Sequence, residues 1–272
     1  MSIVMTGATG SLGKIILRQL LYRKRPENII VSVRKPEAAE ALKGQGVDVR
    51  YGDYEDKASL VGSFRGASKL LLISSPHPDD SVRLRHHLSA LDAAKEAGIR
   101  HIIYTSIAFL EQGQLPLHRL HLDTEKEIRE SGIPFTFLRN GYYMDILRFL
   151  GVREAAASGV LLSPPGDWSF NTTAREDLAL AAAAVLTEEG PTHTGRTYEL
   201  TASRTWSLSD LARAIAEATG RRVVHRTDPA AHNPIYGLLP LSEMGKVSPD
   251  LERLAGRPLR SLQEEVRSLL NG

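Results

Sequence analysis

The 272-residue chain contains no cysteine. That excludes disulfides, thiolate nucleophiles and cysteine-ligated metals, and it fits a reducing, cytoplasmic setting. No apolar run approaches the ~18 residues that a membrane-spanning helix needs. The longest, residues 178–186, is alanine-rich and reads as a buried helix. The first strand follows Met1 almost at once, so no secretory leader is expected. There is no dense basic tract: 34 Lys and Arg are scattered among 32 Asp and Glu, for a formal charge of +2. A mixed solvated surface is expected, not a nucleic-acid-binding one. Histidines have no spacing that calls for a metal, and no G-x-S-x-G nucleophile motif occurs. One absence is more specific. None of the eight tyrosines is followed four residues later by lysine. A mechanism in which a lysine-activated tyrosine protonates a ketone is therefore not expected.

What is present is an ordinary globular composition, 42% hydrophobic and 24% charged. The chain is organised around residues 2–21. Ile3, Val4 and Met5 read as a short buried strand, and Leu12, Ile15, Ile16, Gln19 and Leu20 repeat at helical spacing. Between them lies a glycine-rich turn with Gly7, Thr9, Gly10, Ser11, Leu12 and Gly13. The spacing is G-x-x-G-x-x-G. Gly7 would allow the sharp turn, Gly10 would let a phosphate approach bare backbone, and Gly13 would let the helix pack close to the sheet. A helix N-terminus behind such a loop suits a pyrophosphate, and so a dinucleotide.

Strand-like and helix-like segments then alternate. Strands are predicted at 28–33, 47–51, 69–74, 101–106 and 135–139, and helices at 37–45, 57–64, 82–97 and 117–131. This is the pattern of an α/β fold, a doubly wound parallel sheet of Rossmann type. Residues 1–140 are expected to form that dinucleotide-binding domain, its sheet completed by later segments. Residues 141–272 are expected to form a smaller α/β substrate region. There, a helix is predicted from Tyr143 to about Ala157, a strand at 159–162, a helix at 175–187 and a strand at 196–200. A helix at 207–219, a strand at 222–225 and an amphipathic helix at 261–270 follow. Residues 226–249, rich in Pro, Gly and His, read as loop.

In such sheets the ligand lies at the carboxyl ends of the strands. Arg34 ends the second strand, about twenty residues past the glycine loop, where an arginine suits the 2′-phosphate of NADP(H). Asp53 and Tyr54 end the third strand, where an adenine would lie; Asp53 reads equally well as a turn residue. Ser74, Ser75 and Pro76 end the fourth, beside the expected nicotinamide ribose. Thr105 and Ser106 end the fifth. Asn140, Gly141, Tyr142 and Tyr143 end the sixth, where nicotinamide and substrate should meet. With no tyrosine–lysine pair, His77 and His121 are the candidates for a general acid, each against the plainer reading of a packed or surface histidine, and Tyr142 is the third catalytic candidate.

These residues give the chain a resemblance to the NmrA-like branch of the atypical short-chain dehydrogenases. Within it, the chain is most similar to bacterial type 2 NAD(P)H:quinone oxidoreductases and triphenylmethane reductases. The resemblance is carried by TGATGSLG at 6–13, Val33-Arg34, Gly52-Asp53-Tyr54, KLLLISSPH at 69–77 and HIIYTS at 101–106. It continues through HLDTEK at 121–126, GIPFTFLRNGYY at 132–143, Tyr198-Glu199-Leu200 and Trp206-Ser207-Leu208. It implies NADPH binding and direct hydride transfer to an electron-poor quinone or dye, which needs no tyrosine–lysine pair. By the same carry-over Asn140, Gly141 and Tyr142 border the nicotinamide and Tyr143 the substrate. Members usually have a longer helical insertion where this chain has residues 226–249, so a pocket that is more open, or closed by a partner subunit, is expected.

Three functions follow as expectations. The first is an NADPH-dependent reductase of a small quinoid or conjugated dye substrate (triphenylmethane or azo), with a pocket lined by His77, Phe109, Tyr142, Tyr143 and Phe149. The second is an NADP(H)-sensing regulator with little or no catalysis. The third, a sugar-nucleotide or ketone enzyme, is opposed by the missing tyrosine–lysine pair. A homodimer is the default assembly.

Overall fold

The computed structural model describes residues 2–272. Seven parallel strands form one sheet: β1 (Ile3–Met5), β2 (Ile29–Val33), β3 (Asp48–Tyr51), β4 (Lys69–Leu72), β5 (His101–Ile107), β6 (Phe135–Asn140) and β7 (Arg196–Leu200). Their spatial order is β7-β6-β5-β4-β1-β2-β3, so the direction of winding reverses between β1 and β4. The last strand comes from the second half of the chain and pairs with β6 from Arg196 opposite Thr136 to Leu200 opposite Asn140.

The strands from β1 to β6, β3 apart, are almost wholly buried, and successive side chains feed opposite faces. Ile3, Met5, Val31, Leu71, Ile103 and Leu138 join one apolar cluster. Val4, Ile30, Leu70, Leu72, Tyr104 and Phe137 join the other. The first face is covered by α1 (Ser11–Leu21) and by the alanine-rich helix Arg175–Thr187, whose apolar run is buried as its composition predicts. The second is covered by α2 (Lys57–Phe64), α3 (Asp80–Ala97) and α4 (Pro116–Glu130). Lys69 opens β4 with a buried ammonium that donates to the carbonyls of Leu186 and Glu188 at 3.1 and 2.9 Å. It thereby closes the C-terminal end of the alanine-rich helix.

A third apolar cluster lies outside the sheet. It gathers Met144, Leu147, Phe170, Leu211, Ile215 and Val266 from the second half of the chain. Here the local elements differ from the periodicity. The helix predicted from Tyr143 to Ala157 is broken: Tyr142–Tyr143 pairs with Thr172–Thr173, Met144–Phe149 is a 3₁₀ turn, and α5 covers only Val152–Ser158. Gly151 takes φ +71°, in the left-handed region, and divides the two helical pieces. Arg175–Thr187 is α6, and α7 is Leu208–Thr219. The predicted loop at 226–249 carries two short turns, Ile235–Leu238 and Leu239–Leu241. Beyond it, α8 (Asp250–Ala255) has no counterpart in the sequence reading; it is two turns long and packs on α6. The chain closes with α9 (Leu262–Asn271), capped by Ser261.

Candidate active site

The β1–α1 loop stands at the winding reversal, where parallel sheets leave a crevice. Gly7 has φ +65° and its carbonyl accepts from the Gly10 N–H at 3.0 Å. A Cβ at Gly13 would lie 2.0 Å from the Gly7 carbonyl oxygen, so only glycine lets α1 start this close to the strand. A Cβ at Gly10 would meet only that oxygen, at 3.3 Å. Gly10 is the N-cap of α1, it supplies no side-chain cap, and no acidic residue occupies the first turn. The first N–H groups of the helix are therefore left for an anion.

Two hollows meet at this loop. The wider, about 530 Å³, lies on the β2–β3 side and is lined by Gly7, Thr9, Arg34, Asp53, Tyr54 and His77 among others. Its floor is close-packed: a Cβ at Gly52 would sit 2.1 Å from Ser32 Oγ, which is 2.8 Å from Ser63 Oγ. Arg34 is exposed and has no carboxylate partner among the described residues. Asp53 serves the turn as well, because its Oδ1 accepts from the Glu55 N–H at 3.1 Å. Tyr54 stacks on His86 at 5.1 Å and donates to the Ile73 carbonyl at 3.3 Å. Burial pushes its phenol up to about 12, so it stays a donor. His86 bridges Ser75 Oγ at 2.8 Å and Glu55 at 2.7 Å, and that hydrogen bond holds the Glu55 carboxyl below its ordinary range.

The narrower hollow, about 350 Å³, lies on the β4–β5–β6 side. Leu12, Ser74, Thr105, Asn140, Gly141, Tyr142 and Tyr143 line it with His121. Ser75 and Pro76 line both hollows, and the glycine loop contributes to each. An elongated ligand laid across the loop would thus reach both. Thr105 Oγ1 accepts from the Ser74 N–H at 3.0 Å and ties the ends of β4 and β5. His121 Nδ1 is 2.7 Å from the Tyr104 hydroxyl. Burial disfavours the charged form of His121 and holds its pKa well below the ordinary value. Tyr142 OH is 3.3 Å from His118 Nε2, and burial raises the Tyr142 phenol. Tyr143 lies under the Arg175 guanidinium at 4.1 Å.

The predicted site residues therefore divide. His77 stands in the wider hollow with Asp53 and Tyr54, apart from His121 and Tyr142. Ser11 is exposed and borders a separate crevice with Arg175 and Arg148. Phe109 lies against a small crevice behind Tyr142, held at φ +52° by its N–H to Glu199 at 2.8 Å. Phe149 is 63% exposed and lines neither hollow.

Residues 1–240 match the NmrA-like family. The chain belongs to that family. Quinone oxidoreductase 2 of Escherichia coli strain K12 is 36% identical over 99% of both chains. The solved structure of Citrobacter sp. triphenylmethane reductase complexed with NADP(H) superposes with a TM-score of 0.89 at 39% identity, covering 98% of this chain and 99% of that one. The E. coli quinone oxidoreductase QOR2 complexed with NADPH gives 0.86 at 34% identity, covering 99% and 100%.

Several polar residues of this NmrA-like site escape a reading by strand ends alone. Arg83 reaches back from α3 to Ser74 Oγ and the Ser75 carbonyl, at 2.9 and 2.8 Å. His87, one turn on, accepts from the Ser75 N–H at 3.0 Å, and burial lowers it to about 3. Arg139 is buried among Glu111, Glu125 and Glu199, with contacts of 2.6 to 3.0 Å. The spacing of Arg83 and His87, i and i+4 on one helix face, was the available signal for that pair.

Proposed function

We propose that this chain is an NADPH-dependent reductase that passes hydride to a small quinone or conjugated dye. It is an NAD(P)H-dependent oxidoreductase, and NADP(H) is its cofactor. The residues fit that cofactor. The uncapped N-terminus of α1 would hold the pyrophosphate, Arg34 the 2′-phosphate, and Asp53 and Tyr54 the adenosine side. Asn140, Gly141 and Tyr142 would border the nicotinamide. When bound, the cofactor supplies the hydride.

The observation that carries the reading is the narrow hollow itself. It lies at the ends of β4, β5 and β6, is bounded by Tyr142, Tyr143, Leu12 and Leu117, and is large enough for one or two fused rings. Residues 141–272 contribute Gly141, Tyr142 and Tyr143 to its lining and would act as the substrate-binding part. The chain has no Tyr-x-x-x-Lys pair, and an electron-poor acceptor needs none, because hydride arrival is its difficult step. Stacking and shape would orient the acceptor. His121, fixed by Tyr104, is the polar group nearest to a catalytic role here.

The test is loss of NADPH absorbance with a quinone, a triphenylmethane dye or an azo dye as acceptor, with NADH in parallel. Acceptor-dependent oxidation that favours NADPH is the expected result. Tight NADPH binding with no turnover on any acceptor would replace this reading with that of a sensor.

A further inference from the structure

Tyr142 stands as a partition between two cavities. It lines the 350 Å³ hollow on one side and the small crevice with Phe109 and Glu243 on the other. That crevice is about 10 Å³, room for one water at most, so the ring is closely backed. The Tyr142 backbone is fixed from another direction, by its pairing with Thr172. Among the described residues, two that are not glycine take the left-handed region, Phe109 at φ +52° and Glu243 at φ +51°. Both line the crevice behind Tyr142. Such strain persists only where the surroundings over-determine the backbone, and it gathers at working sites.

The tyrosine is held by its hydroxyl, and the group that holds it is His118. This histidine is 1% exposed, and burial disfavours its charged form. Its Nδ1 lies 3.1 Å from the Leu115 N–H, which has no other partner among the described residues. The Leu115 carbonyl already accepts from the His118 N–H at 2.9 Å. Nδ1 is therefore the acceptor, and the neutral ring carries its proton on Nε2. Nε2 is the atom 3.3 Å from the Tyr142 hydroxyl, so it donates to that oxygen. The ring itself rests on Gly113, where a Cβ would fall 2.2 Å from Nε2. The next residue, Gln114, ties this loop to the Leu241 carbonyl at 2.9 Å. A tautomer, a glycine and a backbone contact thus fix one donor against one phenol.

We propose that His118 is a positioning residue that pins Tyr142 and so makes its ring a rigid wall of the narrow hollow, restricting acceptors to flat molecules of one or two rings. The proposal rests on the reductase reading above and narrows its substrate class. The hollow has about 350 Å³ to share between a nicotinamide and an acceptor. A naphthoquinone is planar and can lie against a fixed wall. A triphenylmethane dye is a three-bladed propeller of greater thickness, and it needs the wall to yield. A pinned phenol does not yield, because its hydroxyl would have to leave the Nε2 donor and its ring has almost no space behind it.

The experiment compares kcat/KM for menadione and for malachite green in the wild type, His118→Leu, His118→Gln and Gly113→Ala. His118→Leu removes the donor and keeps an apolar side chain in its place. It should raise the dye-to-menadione ratio on the order of tenfold, the scale on which pockets discriminate by size. His118→Gln, which can present an N–H at the same position, should return the ratio most of the way to that of the wild type. Gly113→Ala keeps both hydrogen-bonding residues and displaces the ring, so it should act like His118→Leu. An unchanged ratio in His118→Leu, or an equal fall with both acceptors, overturns the proposal. A second readout needs neither cofactor nor turnover. In the nitrogen NMR spectrum of histidine-labelled wild-type protein at neutral pH, His118 should be protonated on Nε2 alone, and that nitrogen should shift in Tyr142→Phe. A proton on Nδ1, or an Nε2 resonance that Tyr142→Phe leaves in place, overturns the pin. If the wild type reduces neither acceptor, the reductase reading fails, and the histidine spectrum still decides the pin on its own.

Discussion

Arg34 stands at the mouth of the wider hollow with its guanidinium exposed and unpaired among the described residues. In the proposed binding mode, a cation at the end of the second strand would meet the one group that distinguishes NADPH from NADH. Arg34→Ala should therefore weaken NADPH by about 1.5–3 kcal/mol, the worth of a charge-assisted hydrogen bond, and leave NADH nearly as before. Titration of both cofactors into the two proteins checks this, and equal losses would remove the 2′-phosphate assignment. The place of Arg34 at the wider hollow was legible in the sequence because it is a distance along the chain, about twenty residues from the glycine loop. Ser106 was legible only as a strand end. That its hydroxyl is unpaired while its neighbours are engaged follows from partners contributed by Ser74, His121 and three distant glutamates.

Among elements, the joint between β1 and α1 separates two roles for glycine. Gly13 is a packing requirement, whereas a Cβ at Gly10 would meet only the Gly7 oxygen at 3.3 Å, and the role proposed for Gly10 is to leave room for the ligand. Gly13→Ala should lower the melting temperature sharply, by an overpacking cost of about 1–3 kcal/mol or more, because the obstructing atom is backbone. Gly10→Val should leave a folded protein that binds neither NADPH nor NADH. Retained cofactor binding in that variant would mean the loop is a connector only. A second joint holds the far side of the site. Arg139 on β6 links Glu125 on α4, Glu199 on β7 and Glu111 in the loop after β5. Glu125 is fully buried and shared with Arg129 at 3.0 Å. Arg139→Met would strip the main partner from that carboxylate, so about 3 kcal/mol of stability should be lost, read by urea unfolding. A loss below about 1 kcal/mol would show the network to be ornamental. Sequence periodicity found β6 and α4 without difficulty. It could not find the network, whose members are up to 88 residues apart (Glu111 to Glu199).

For the whole molecule, the buried histidines make stability depend on pH in a defined direction. Burial lowers His87 to about 3 and His101 to about 4, against an ordinary value of 6.5. Between those values the unfolded chain binds protons that the folded chain refuses, so stability rises with pH across this window. The urea midpoint should be level above about pH 7 and should fall as the pH is lowered from about 6.5 towards 4. A midpoint flat down to about pH 5 would mean that these rings are protonated in the folded state. The sequence by itself determined the class of fold and the class of cofactor. Both rest on short-range patterns: alternation of strand and helix, a glycine turn before a helix, and an arginine at a strand end. Such patterns survive because backbone geometry is local. Only the tertiary structure decided where the helix predicted after Tyr143 breaks, that His77 and His121 occupy different hollows, and which buried hydroxyls are left without a partner. Those outcomes depend on side chains brought together from distant parts of the chain, and burial, which sets their charge and their hydrogen bonds, exists only once the chain has folded.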